Sequence, residues 1–241
     1  KRCEVVCPSG VKVADIIQAA RIKYDHAQPK LRDRMLANTD FMGRLARPFA
    51  PIVNGTTALG VTKTVLDATF AIDKHRTFPK YSGRSFEGWL KRHAKEQAKF
   101  EKQVAYYHGC YVNYNYPQLG KDFVKVMNAL GIGVQLLDKE KCCGVALIAN
   151  GMSKKATKNA KHNVSVLQKA VDAGLKVLTT SSTCVMTIRE EYPGLLSVDN
   201  SGVRDSLLLA TRYIYQLIES GQAQLKFKEN YRARIAYHIP C

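Results

Sequence analysis

Apolar and polar positions are most regularly ordered between residues 104 and 184. Val104-Ala105-Tyr106-Tyr107 is a short apolar run that predicts a strand leading into His108-Gly109-Cys110. Leu119, Phe123, Val126, Met127 and Leu130 then recur at helical spacing and stop at Gly131, a residue suited to a helix C-terminus. Gly133 to Leu137 predicts a second strand. After a turn at Asn150-Gly151, Ala156, Ala160, Val164, Leu167 and Val171 predict another helix, and Leu175 to Thr180 a third strand that delivers Ser181 to Cys184. Strand, helix, strand, helix, strand is the signature of an α/β domain with a parallel sheet. The cysteines of this region all fall just past predicted strand ends, where open α/β sheets place their sites.

The first hundred residues follow a different pattern. Val13 to Tyr24 carries Ile16, Ile17, Ala20 and Ile22 near one face with Asp15 in its first turn, which predicts a helix packed behind the N-terminal cysteines. From 31 to 75 the apolar runs are short: Met35, Leu36, Phe41, Met42 and Leu45; Phe49, Ile52 and Val53; then Val61, Val65, Leu66, Ala68, Phe70 and Ile72. Pro48, Pro51, Gly55 and Gly60 interrupt them, and Arg44, Arg47, Lys63, Lys74 and Arg76 punctuate them. Two readings stand side by side: amphipathic helices lying in a bilayer interface, or a helical layer packed over the core. Pro79 to Gly83 predicts a turn, and Ser85 to Gln103 a highly charged surface helix with the only tryptophan, Trp89.

Composition narrows the function classes. The 241 residues are 46% hydrophobic, enough for a globular core, and no apolar run approaches the roughly 18 residues of a membrane span. No signal peptide is expected at the N-terminus. A formal net charge of +17 favours an acidic partner, whether anionic lipid, nucleic acid or an acidic protein surface. Seven cysteines, an odd number, point to a reduced compartment and metal chemistry rather than to a disulfide framework. A G-x-G-x-x-G dinucleotide fingerprint is absent, so flavin or nicotinamide catalysis is not expected of this chain itself. A basic zinc-bearing nucleic-acid binder would explain charge and cysteines together, but the spacings match no finger and the aromatic residues do not interleave with a basic patch; no nucleic-acid partner is expected.

The cysteine spacing carries the chemistry. Cys110 is separated from Cys142-Cys143-Gly144 by 31 residues, and 36 more separate Gly144 from Ser181-Ser182-Thr183-Cys184, giving C-x31-CCG-x36-SxxC. Adjacent cysteines seldom pair with each other, so two neighbouring thiolates suggest a shared soft-metal centre; the alternative is a set of merely buried thiols. Gly144 allows a left-handed turn beside a bulky centre. Serine is a poor ligand for a soft metal, so Ser181 leaves four cysteines at most. At the N-terminus, Cys3 and Cys7-Pro8 form C-x3-C-P, the tail of the bacterial ferredoxin run. Ile235 to Cys241 parallels Val104 to Cys110, each a strand-like run reaching a histidine and then a cysteine, so Cys241 is expected to open a second site. Both ends then cut through metal motifs, and the chain is expected to be a fragment. His108 and His238 are either donors to a sulfur centre or structural histidines.

This spacing resembles the CCG cysteine-rich domain of heterodisulfide-reductase B-type subunits and of the iron–sulfur subunits of glycolate, lactate and glycerol-3-phosphate oxidising systems, where it occurs twice per chain. Over essentially the whole length, the segments KRCEVVCPS, FAPIVN, CYVNYNYPQLGKDFVKVMNALGIGVQLLDKEKCCGVALIANG and SSTC resemble the family of C subunits of anaerobic glycerol-3-phosphate dehydrogenases. The resemblance implies an N-terminal module with two [4Fe–4S] clusters, Cys3 being the third ligand of one and Cys7 the exchanged ligand of the other. It implies a CCG site at Cys110, Cys142, Cys143 and Cys184, with serine normal at 181, as a further iron–sulfur centre, and a second CCG site beginning at Cys241. Flavin-containing catalytic subunits would be the partners on one side and the quinone pool on the other. A peripheral position on an anionic membrane surface, at the cytoplasmic side of the bacterial inner membrane, goes with it. The expected organisation is the C-terminal part of a ferredoxin-type module at 1–30, a helical connector at 31–103, a parallel-sheet CCG domain at 104–232, and the start of a second at 233–241. The same resemblance leaves a glycolate- or lactate-oxidising or heterodisulfide-reductase-like complex as the alternative setting.

Overall fold

The computed structural model describes residues 6–24 and 29–223, together with 234 and 236; Cys3, His238 and Cys241 lie outside the described residues. Its N-terminal part is helical and its C-terminal part is built on a parallel sheet, as the hydrophobic pattern predicts. Helix α1 (Val13–Tyr24) has no buried residue. Ile16 and Ile17 are exposed among the described residues, and Arg21 Nη1 donates to the Ala149 carbonyl at 3.0 Å. Four short helices follow: α2 (Leu31–Ala37), α3 (Thr39–Ala46), α4 (Ala50–Ala58) and α5 (Gly60–Phe70), with a single 3-10 turn at Arg47–Phe49. Pro48 and Pro51 sit at the starts of their elements, where the missing N–H costs nothing, which is why the prolines divide this stretch without destroying its helicity.

The stretch predicted as one helix from Ser85 to Gln103 is corrected to two, α6 (Phe86–Arg92) and α7 (Ala94–Gln97), followed by entry into the sheet at Lys102. Ser85 caps α6 by accepting from Gly88 N, and His93 closes it, its ring stacked on Trp89 at 4.3 Å and its Nδ1 2.8 Å from the Trp89 carbonyl. Nor is α6 a surface helix: Phe86 and Leu90 are buried, and Gln97 accepts from Val134 N, which ties α7 to the sheet.

Strands β1 (Lys102–Tyr106), β2 (Ile132–Leu136), β3 (Lys176–Thr179) and β4 (Leu207–Leu209) form one parallel sheet in the order β2-β1-β3-β4. Val104 stands opposite Val134 on one side and Lys176 on the other, and Leu178 opposite Leu208. Between β1 and β2 lie α8 (Gly109–Tyr114) and α9 (Pro117–Ala129); between β2 and β3 lie α10 (Val145–Ala149) and α11 (Ser153–Asp172). β3 leads into α12 (Ser182–Met186), a π-helical turn at Thr187–Glu191, α13 (Tyr192–Leu196) and α14 (Ser201–Arg204); α15 (Ala210–Glu219) follows β4.

Because side chains alternate along a strand, β1 and its extension feed two cores. Val104 and Tyr106 pack with Phe86, Phe123 and Met127 on one face, while Ala105 and Tyr107 pack with Ala156, Leu167 and Ile188 on the other. Chain order reverses between β1 and β3, since β1 connects outward to β2 and β3 outward to β4. A crevice opens at the carboxyl ends of the strands at such a switch point.

Candidate metal centre

All four cysteines of the C-x31-CCG-x36-SxxC pattern sit at that crevice. Cys110 lies in the first turn of α8 after β1, Cys142 and Cys143 follow β2 through the loop 137–141, and Cys184 lies in α12 after β3. The Cys110 and Cys142 sulfurs are 3.6 Å apart. The Cys143 thiol acts electrostatically on both Cys142 and Cys184, so the four sulfurs are neighbours in a row. Two thiolates on one tetrahedral metal with bonds near 2.3 Å stand about 3.7 Å apart, so the first pair already has ligand spacing. Among the described residues no group of three or more His, Cys, Asp or Glu is arranged around a single ion. A row of four soft sulfurs suits a centre with several metal atoms, such as an iron–sulfur cluster, more than an isolated zinc.

The surroundings favour negative sulfur at two of the four positions. Cys142 is held well below an ordinary thiol pKa, first by the Cys110 thiol and then by the Cys143 thiol, with Thr39 and the Gly144 amide also donating to it. Cys184 is lowered by the Cys143 thiol and, beyond the opposing effect of burial, by Ser181. Cys110 and Cys143 are correspondingly raised by the same contacts and by burial.

Ser181 lies beside Cys184, as expected of the closing SxxC. Its side chain accepts from Cys184 N at 3.3 Å and so caps α12, a role a cysteine would fill poorly. Gly144 has φ +90°, the left-handed region, at the start of α10. A Cβ there would meet only ordinary contacts with Ala156, so backbone conformation rather than space selects glycine. Gly109 is left-handed as well, with Cys184 Sγ only 3.4 Å from where its Cβ would be.

His108 belongs to the structural reading. Its Nδ1 lies 3.0 Å from the Gly109 carbonyl and 3.1 Å from the buried Glu140 carboxylate, and its ring packs edge-on against Phe86. Burial drives His108 down and Glu140 up, holding both towards their neutral forms, so the pair is a hydrogen bond more than an ion pair. Glu140 also accepts from Gly109 N at 2.8 Å, joining the first cysteine turn to the loop of the second.

Several supporting residues were not singled out by the sequence. The backbone of the CCG turn is held by Asn163, whose Oδ1 accepts from Lys141 N at 2.9 Å while Nδ2 donates to Lys141 O and to Tyr192 Oη, each at 3.1 Å. Tyr107 Oη donates to Lys141 O at 2.6 Å and Tyr192 Oη to Cys143 O at 3.0 Å. Asn163 did carry a signal, since it interrupts the apolar stripe Ala156, Ala160, Leu167 of α11 and a polar residue there must find partners inside. From α3, Thr39 Oγ1 lies 3.2 Å from Cys142 Sγ, and Asp40 accepts from Cys142 N at 2.6 Å; burial, with the Cys142 sulfur adding to it, raises Asp40 to about 6. Gly43, one turn further on, permits this approach, because any side chain there would collide with the Tyr114 ring. Nothing in the local pattern of 31–76 foretold that contact. At the N-terminus Cys7 is half-buried, its carbonyl accepting from Gly10 N at 3.1 Å.

A parallel sheet with four thiols gathered at its switch point is the arrangement of a cysteine-rich domain, and the CCG family, described as a cysteine-rich domain, matches residues 104–189. Over 97% of its length the chain is 52% identical to the C subunit of the anaerobic glycerol-3-phosphate dehydrogenase of Escherichia coli strain K12, and it spans 59% of that protein. The resemblance read from the sequence motifs is thereby confirmed. More distant likenesses are the glycolate oxidase iron–sulfur subunit of the same organism, 23% identical over the whole of this chain and 56% of that protein, and lactate utilization protein A of Bacillus pumilus, 28% identical over 55% of this chain and 54% of that protein. No solved structure gives a significant match.

Proposed function

We propose that the protein is an iron–sulfur electron-transfer subunit of an anaerobic glycerol-3-phosphate dehydrogenase complex. In this reading Cys110, Cys142, Cys143 and Cys184 hold one iron–sulfur centre. Cys3 and Cys7 serve [4Fe–4S] clusters of a ferredoxin-type module, and Cys241 begins a second CCG site. The observation that carries it is the row of four sulfurs at the carboxyl ends of β1, β2 and β3, in a chain so similar to the Escherichia coli protein. Bound there, such a centre supplies one-electron transfer. The chain's own part is to fix the sulfurs, to donate a hydrogen bond to Cys142 from Thr39, to hold the Cys184 turn through the Ser181 cap, and to bury the sulfurs among Tyr107, Ile148 and Tyr192.

Electrons would come from flavin-containing catalytic subunits and pass towards the quinone pool, with the protein held peripherally on the cytoplasmic face of the inner membrane. No helix among the described residues is long and apolar enough to cross a membrane. Exposed Phe41, Phe49, Ile52, Val61 and Val65 on α3 to α5, and in the turn between α3 and α4, support attachment through 31–76. The domain scheme 1–30, 31–103, 104–232 and 233–241 goes with this reading. A glycolate- or lactate-linked setting is the weaker alternative at 23% and 28% identity.

The test is anaerobic purification with iron and sulfide analysis and EPR of the parent, Cys142→Ser and Cys7→Ser. Each substitution is expected to abolish or alter a different signal. A parent without iron and sulfide, or spectra indifferent to both changes, would sink the reading.

A further inference from the structure

A large cavity opens directly beside the cysteine row. It encloses about 520 Å³ between helices α2 to α5, the segment 72–81 and α8, and Cys110 forms part of its wall. That volume lies within the range of sites for small organic ligands, roughly 300–1,000 Å³. Most of the lining is apolar, with Met42, Val53, Leu66, Phe70 and Phe78 among its walls. Leu45 and Phe49 belong both to the lining and to the exposed surface, and Phe41, Ile52, Val61 and Val65 continue an apolar surface on the same stretch of chain. The polar groups are few. Arg32 is fixed by donating to the Ala71 carbonyl at 3.1 Å and to Asp33 at 2.9 Å, Arg76 lies over the Phe78 ring at 5.9 Å, and Tyr81 and Tyr111 stand with Cys110.

We propose that this cavity binds the ring of a lipid-soluble quinone, with the ring against Cys110 and the carbonyl oxygens served by the arginine and tyrosine donors. The proposal rests on the electron-relay reading and gives its acceptor a place. Three features select this occupant. An apolar lining with a few fixed N–H and O–H donors matches a flat ring bearing two carbonyl acceptors. The exposed apolar surface beside the cavity suits a ligand arriving from a bilayer rather than from water. Contact with a cysteine of the redox site serves an electron acceptor and does nothing for a structural lipid.

The experiment is calorimetric titration of the anaerobically purified, iron-loaded protein with menadione, a naphthoquinone without a tail, and in parallel with farnesol, an isoprenoid without a ring. Val53→Trp and Leu66→Trp fill the cavity from two helices, so a folding defect in one leaves the other; Phe41→Ser, outside the lining, is the control. Expected is saturable menadione binding, unchanged in Phe41→Ser and weakened at least ~tenfold in both tryptophan variants, with iron content and melting temperature as in the parent. Equal affinity of parent and tryptophan variants, or farnesol binding as tightly as menadione, overturns the proposal. Iron and sulfide counted on the same samples separate the two readings. An iron-loaded protein that ignores menadione loses the quinone site and keeps the relay, whereas an iron-free protein that binds menadione in this pattern keeps the site and loses the relay.

Discussion

Asn163→Leu probes how the CCG turn is held. Leucine matches asparagine in the number and branching of its side-chain heavy atoms, so the site, 1% exposed in the parent, is not emptied; its two methyl groups are bulkier than the amide and add an overpacking cost of their own. Hydrogen bonding changes as well. Lys141 O keeps its bond from Tyr107 and Tyr192 Oη keeps Cys143 O, but Lys141 N loses its acceptor. One buried donor left without a partner costs about 1–3 kcal/mol, and the bonds made by the amide nitrogen are worth less because their partners have alternatives. A loss of about 2 kcal/mol is expected, which for a chain of this size lowers Tm by roughly 4–8 °C. Thermal and urea unfolding of the parent, Asn163→Leu and Asn159→Leu measure it. Asn159, on the same face, makes only a 3.4 Å contact with Cys142 O, and its replacement is expected to cost no more than about 0.5 kcal/mol. Unfolding of Asn163→Leu within that same margin of the parent would refute the reasoning. Combining it with Tyr192→Phe should cost less than the sum of the two, since they share a bond.

Thr39→Val removes a donor to the Cys142 sulfur; a bond of about 1 kcal/mol corresponds to roughly 40 mV, so the potential of the bound centre should fall by that order in an EPR-monitored redox titration, and an unmoved potential would dismiss Thr39 as a tuning group. Ser181→Ala should cost about 1 kcal/mol of stability through the lost cap of α12 while leaving iron content as in the parent; an iron loss without a stability loss would make Ser181 a ligand instead. Replacing Arg44, Lys63 and Lys74 together by Gln should weaken binding to anionic vesicles at low salt by roughly 100-fold, at about 1 kcal/mol per charge, and the difference should shrink as salt rises; unchanged sedimentation would assign this surface to a protein partner. Arg47 does not belong in that set, because it is half-buried and donates to Ser85 Oγ at 3.1 Å.

How much of this was legible in advance differs along the chain. The short apolar runs and the period-3.6 stripes between 104 and 184 determine the first three strands and the two longer helices between them, α9 and α11, because strands covered on both faces need apolar side chains throughout and each of these helices buries one face. The same segment places cysteines after strand ends, and parallel strands bring those ends together, so the gathering of Cys110, Cys142, Cys143 and Cys184 followed from the pattern. β4 escaped notice because a three-residue run, Leu207–Leu209, is too short to show a period. The helix expected over Ser85 to Gln103 is broken because Gln97 accepts from Val134 N of β2, while Gln103 already belongs to β1 and its side chain donates back to the Gln97 carbonyl, bonds that composition does not reveal. What only the tertiary structure decided is how 31–76 is used. Its local pattern allows either an interfacial layer or a packed one, and the fold uses both faces. Thr39, Asp40 and Gly43 turn inward to the Cys142 backbone, its sulfur and the Tyr114 ring, while Phe41 and Leu45 of the same helix remain exposed. Contacts between residues a hundred positions apart leave no periodic trace in either partner, so the sequence determined where the sulfurs meet and the tertiary structure alone decided what surrounds them.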